Sequence, residues 1–177
     1  MASVIGIDIG TTSTIGVLLL PYFLGEKSPI HDPDARGTIT GLSLGHSAGH
    51  VWRAALEGTA YAFRHHVEVF RAIGYPVTRL LASDGGSTSA VWMQIVADVL
   101  GAPVQLLTGH PGSSLGAAWL AAIGAGVTDD WQGVARLTGH GALVEPDPAC
   151  AEIYDEGFAR FRSLYPALRP WFAAAAR

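Results

Sequence analysis

Two short runs near the start of the chain alternate apolar and polar positions. Val4, Ile5, Ile7 and Ile9 mark the first; Ile15, Val17 and Leu19 mark the second. β-Branched residues at this period predict two antiparallel strands, over 4–9 and 14–20, joined at Gly10-Thr11-Thr12-Ser13. Residues 21–37 are rich in Pro, Gly and charge and read as an irregular loop. Residues 38–45, "TITGLSLG", predict a third short strand.

The period then changes. Val51, Ala55, Leu56, Thr59, Ala62, Phe63, Val67, Phe70 and Ile73 fall at helical spacing. Ser47 suits the N-cap of that helix, and Gly74 followed by Pro76 suits its end. A buried strand is expected over 78–83, a helix over 88–100, a strand over 103–107 and a small-residue helix over 113–123. Residues 129–143 give no clear period, and 148–165 predict a last helix with Ile153, Phe158, Phe161 and Leu164 on its apolar side. The order β-β-β-α-β-α-β-α implies crossover connections and a mixed sheet. It is the plan of a ribonuclease-H-like core, as in the actin-like ATPases: an α/β fold with helices flanking a mixed sheet.

Composition narrows the class. The 177 residues are 49% hydrophobic and 15% charged, which suits a globular domain with a normal core. The net charge of −4, without a basic run, argues against nucleic acid as a partner. Cys150 is the single cysteine, which fits a reducing compartment and a small structural residue. Met1-Ala2-Ser3 carries no positive charge ahead of an apolar run, and the stretch 15–24 is broken by Pro21. No membrane is therefore expected, and the cytoplasm is the expected location.

Three stretches can carry chemistry. The turn "DIGTTS" (8–13) offers N–H groups and hydroxyls to phosphate oxygens, with Gly10 allowing close approach. Asp8 at the strand end can hold Mg²⁺ through water. The same turn also reads as an ordinary hairpin of small polar residues. "SDGGSTS" (83–89) lies between a buried strand and a helix, where α/β sheets bind ligands, and it equally reads as a plain turn with an N-cap. His46 and His50, four apart, have zinc-compatible spacing but no third ligand, and the adjacent His65 and His66 suit one exposed and one packed position.

The third stretch is "GTITGLSLGHSAGHVWRAALE" (37–57). It resembles the second signature of the FGGY family of carbohydrate kinases. "PYFLGEKSP" (21–29), "LEGTAYAFR" (56–64), "DGGSTSAVWMQIVADVLGAPV" (84–104) and "GSSLGAAWLAAIGAG" (112–126) are similar to further family phrases, in family order. "IGIDIGTTS" (5–13) looks like the family's first phosphate motif.

The resemblance implies ATP-dependent phosphorylation of a sugar hydroxyl with Mg²⁺, the phrases leaning towards xylulokinase. Carried over by position, Asp8, Gly10, Thr11 and Thr12 would face the terminal phosphate and metal. Gly85, Gly86 and Ser87 would lie against the nucleotide, Gln94 on the helix after them, and Gly112 and Ser113 on a neighbouring loop. Nucleotide and sugar are then the partners, and a homodimer is allowed.

The resemblance also implies a gap. Family members have two large domains, yet here the domain-one hairpin (1–20) is followed at once by domain-two sequence (21–177). The skipped part would hold the catalytic Asp, most sugar contacts and the second phosphate loop; Asp32 and Asp34 read as solvated turn residues, not substitutes. The chain is therefore expected to be inactive alone. The alternatives are a nucleotide-binding remnant without catalysis and a non-enzymatic actin-like domain, against which the 37–57 signature argues. One further expectation concerns the hairpin 4–20: it takes the vacant place of the domain-two hairpin and pairs with 38–45. The rival arrangement leaves it where a full-length kinase has it.

Overall fold

The computed structural model describes residues 16–83, 85–109 and 112–175. The elements are β1 (Leu18–Leu20), β2 (Thr38–Thr40), α1 (Ala48–Ala72), β3 (Leu80–Ala82), α2 (Ala90–Leu100), β4 (Val104–Thr108), α3 (Ser113–Gly124), β5 (Gly139–Val144) and α4 (Ala151–Ala175). Short 3-10 turns lie at Gly85–Thr88, Gly133–Leu137 and Pro148–Cys150.

β1 pairs antiparallel with β2, Leu19 opposite Ile39. The expected strand over 4–9 lies outside the described residues, as do Ile5 and Ile7. β2 stops at Thr40 because Gly41 has a φ of +81°, and a Cβ there would run into the Gly16 carbonyl oxygen. The second sheet is mixed: β3 runs parallel to β4, and β4 antiparallel to β5. Helices pack around both sheets, giving the mixed α/β architecture that the element order predicts.

One core joins the elements. Leu20 and Tyr22 meet Tyr61 and Val67 of α1, Met93 and Val96 of α2, Val104 of β4, and Tyr154, Phe158 and Phe161 of α4. The buried side of α1 matches the expected stripe only in part: Val67 is buried and Leu56 and Ala62 pack against the core. It is built on Ala54, Glu57, Gly58 and Tyr61, while Phe63, Phe70 and Ile73 are exposed. Gly58 decides this, because it lets the helix touch the β1 backbone: a Cβ there would collide with the Leu19 carbonyl oxygen.

Two elements depart further from expectation. β5 has a strand's backbone but carries Gly139 and Gly141, which hide its period. Those glycines admit close neighbours: a Cβ at Gly141 would stand 2.9 Å from Thr108 Cγ2. α4 runs on past 165 to Ala175 despite Pro166 and Pro170. Each proline removes a backbone donor. The continuation is held by Phe172, which is buried, and by the Tyr165 hydroxyl donating to Asp32 Oδ2 at 2.7 Å.

Candidate nucleotide site

β3 and β4 are parallel, so the turns that follow them emerge at the same end of the sheet. After β3 come Ser83 and the 3-10 turn Gly85–Thr88. Thr88 closes it, its hydroxyl donating to the Gly85 carbonyl at 2.7 Å. Ser89 then caps α2, its hydroxyl accepting the Trp92 N–H at 3.3 Å. Neither Gly85 nor Gly86 needs a positive φ; what they provide is room. Among the described residues nothing lies within 4 Å of a Cβ at Gly85, and one at Gly86 meets only the Trp92 ring, at 3.5 Å.

Gly86 and Ser87 line a cavity of about 500 Å³ together with Phe63, Leu81, Ala82 and Trp92. Its walls are mainly apolar, and the Phe63 and Trp92 rings stand 6.3 Å apart at 53°. The volume lies within the ordinary range for small-molecule sites, about 300–1,000 Å³. The two rings touch each other and form one aromatic wall of the cavity, with Gly86 and Ser87 also lining it. Gly112 and Ser113, at the start of α3 after β4, open from the same sheet end, but neither is among the residues lining this cavity. Gly112 has a φ of +73°, which favours glycine there.

Gln94 is engaged elsewhere. Its amide donates to Asp98 Oδ1 at 2.8 Å and to the Glu145 carbonyl at 2.9 Å, and it lines a separate cavity with Arg53, Asp98, Asp147 and Cys150. Asp98 Oδ1 also accepts the Asp147 N–H at 2.8 Å, so this cluster ties α2 to the segment before α4. Burial and the Asp98 and Asp147 carboxylates push the Cys150 thiol up, which makes it a poor nucleophile. Asp8, Gly10, Thr11 and Thr12 lie outside the described residues.

The histidines serve local structure. His46 Nδ1 accepts the Ser43 N–H at 2.8 Å, and His50 Nδ1 accepts the Ser47 N–H at 3.1 Å. An accepting Nδ1 leaves the ring proton on Nε2, so neither ring offers that nitrogen to a metal in this tautomer. His65 and His66 are both half-buried, not divided between surface and interior. His65 stands edge-on to Phe158, and burial holds its imidazole below the usual value. Among the described residues no group of three or more His, Cys, Asp or Glu is placed to hold a metal ion. None of the described helices is long and apolar enough to cross a membrane.

Sequence reasoning missed the aromatic wall. Phe63 enters the sequence reading only as one of the apolar positions at helical spacing, and Trp92 only within the phrase 84–104. Phe63 is 46% exposed, a value that fits a residue facing an open cavity.

The comparisons with known proteins decide the family. The family described as "FGGY family of carbohydrate kinases, C-terminal domain" matches residues 10–125. The chain belongs to the FGGY family. It is 30% identical over 161 residues to a xylulose kinase of Bacillus subtilis, covering 90% of this chain and 32% of that protein. To a glycerol kinase of Aromatoleum aromaticum it is 37% identical over 162 residues, covering 90% and 32%. To a gluconokinase of Bacillus subtilis it is 34% identical over 125 residues, covering 70% and 24%. The crystal structure of xylulose kinase from Rhodospirillum rubrum superposes with a TM-score of 0.77 at 53% identity, over 91% of this chain and 32% of that one. The chain thus spans about a quarter to a third of the relatives it matches. Its fold is that of the actin-like sugar kinases.

Proposed function

We propose that this chain carries the nucleotide-binding part of an ATP-dependent carbohydrate kinase of the cytoplasm, whose acceptor is a pentulose such as xylulose. The observation that carries the reading is the Gly86–Ser87 turn opening onto the Phe63–Trp92 cavity at the carboxyl end of β3. The substrate assignment is supported by the 53% identity to a solved xylulose kinase. The base would lie in the cavity. The phosphates would run toward Asp8, Gly10, Thr11 and Thr12, in a domain division of 1–20 for the phosphate hairpin and 21–177 for the rest. Magnesium would enter with those phosphates, since it is commonly held by one or two carboxylates plus substrate oxygens; Asp8 is the carboxylate we assign to it.

On this reading the chain binds nucleotide without transferring phosphate by itself. Phosphoryl transfer needs a carboxylate on the acceptor hydroxyl and a clamp on both sides of the phosphate. The sequence passes from the hairpin to domain-two phrases near Val17 to Leu20 without supplying that carboxylate. Titrating Mg·ATP while following tryptophan fluorescence, then assaying a pentulose panel in a coupled kinase reaction, tests both halves. The expected result is saturable quenching with no turnover. Absence of nucleotide binding would remove the reading, and turnover of a pentulose would show that the acceptor site is complete.

A further inference from the structure

A second cavity, of about 270 Å³, runs along the mixed sheet from Arg79 and Pro103, ahead of β3 and β4, to His140, which pairs with Leu107 near the far end of β4. Arg71 from the last turn of α1, Arg79 just ahead of β3 and His140 of β5 line it, with Thr78 beside them. Its lining includes no carboxylate. Arg53, Arg64, Arg136, Arg160 and Arg162 each hold an Asp or Glu within 4.0 Å. Arg71 and Arg79 hold none among the described residues, although the chain as a whole is acidic, at −4.

Two guanidinium groups lining one cavity give it a positive potential that favours an anion. Arginine presents several donors in a planar fork that matches phosphate oxygens, and the hydroxyl of Thr78 and the ring nitrogen of His140 add further donors. The volume falls slightly below the usual lower bound of about 300 Å³ for drug-sized ligands, which favours a phosphate with little attached to it. We propose that this cavity is an anion site that takes a phosphate group, either as the free ion or as the head of a small phosphorylated molecule. Arg79 lies ahead of β3 and Gly86 after it, and the proposal does not depend on the nucleotide reading.

The test is calorimetric titration of the whole chain at low salt, with inorganic phosphate in one arm and a sugar monophosphate in the other. Saturable binding is expected. Arg71→Gln and Arg79→Gln should each weaken it about tenfold, the loss expected for a charge-assisted hydrogen bond. Both side chains are exposed, so the variants should melt like the parent, and Arg79→Lys should retain part of the affinity. Gly86→Val should leave this binding unchanged even where it abolishes nucleotide binding. Equal affinity for both ligands assigns the free ion; tighter binding of the sugar phosphate assigns the ester. Lack of saturable binding in both arms, or unaltered affinity in the Arg71→Gln/Arg79→Gln double variant, would overturn the proposal.

Discussion

Arg53 of α1 donates to the hydroxyl of Tyr154 on α4 at 2.7 Å, joining positions 101 residues apart. The same guanidinium holds Glu57 Oε1 through Nε at 2.8 Å, and the carboxylate is almost wholly buried. Burial and the Glu57 charge push the Tyr154 phenol up to about 12, so its hydroxyl stays protonated as a donor. A buried charge with one partner removed is costly, about 3 kcal/mol or more. Glu57→Ala should therefore destabilise the fold by about that amount in urea unfolding. Tyr154→Phe, which removes one hydrogen bond, should cost about 1 kcal/mol. Equal effects of the two would mean the network is not centred on the carboxylate.

Gly58 and Gly116 are both helical, and their substitutions should have opposite signs. A Cβ at Gly58 meets the Leu19 carbonyl oxygen, so Gly58→Ala must push α1 off β1, at about 1–3 kcal/mol. Gly116 in α3 has open space around it, so Gly116→Ala should stabilise by about 0.5–1 kcal/mol. Thermal melts of the two variants read the difference directly.

The contact of Tyr165 with Asp32 predicts a pH dependence. The Tyr165 hydroxyl hydrogen bond, with help from the Asp34 and Ala35 N–H groups and Arg169, holds the Asp32 carboxyl below its ordinary 3.8. A depressed carboxylate contributes stability in full above the unfolded value and loses it as pH falls through the folded one. The link between α4 and the 21–37 loop should therefore weaken only below about pH 4. In Tyr165→Phe the Asp32 titration, followed by carboxyl NMR, should move up toward 3.8. A curve that does not move would assign the depression to the backbone donors and Arg169.

Much of this architecture is visible in the chain. Strong periods over 47–73 and 88–100, closed by Gly74 and Gly101, correspond to α1 and α2 within two residues at either end. The glycine turn between β3 and α2 was legible from its place in the order, and it lines a cavity. What escaped reading did so for physical reasons. β5 uses glycine where a strand usually shows β-branched residues, because β4 crowds it. α4 passes two prolines because tertiary contacts at Tyr165 and Phe172 outweigh them. The inward side of α1 was legible only in part because it is also marked by a glycine and a paired glutamate, which a hydrophobic pattern does not register. The helical period also does not separate Phe63 from core positions, because an aromatic wall of a cavity and a core aromatic have the same spacing.

Asp8 offers a prediction from sequence alone. On the proposed function, Asp8, a carboxylate beside Gly-Thr-Thr with no cationic neighbour in the sequence, takes the magnesium role. Asp8→Asn should weaken Mg·ATP binding more than it lowers stability, and the difference should shrink when magnesium is withheld. Matching ATP affinities across a magnesium titration would rule the role out.

The nucleotide reading rests on the space beside Gly86, and one comparison tests it most directly. Gly86→Val places two methyl groups at the mouth of the Phe63–Trp92 cavity, on a backbone that valine tolerates because φ there is not positive. Mg·ATP affinity should be measured for the parent and this variant, alongside their melting temperatures. The account predicts binding at least about tenfold weaker, a change of 1.4 kcal/mol, with melting unchanged. Identical affinities in two equally stable proteins would contradict it.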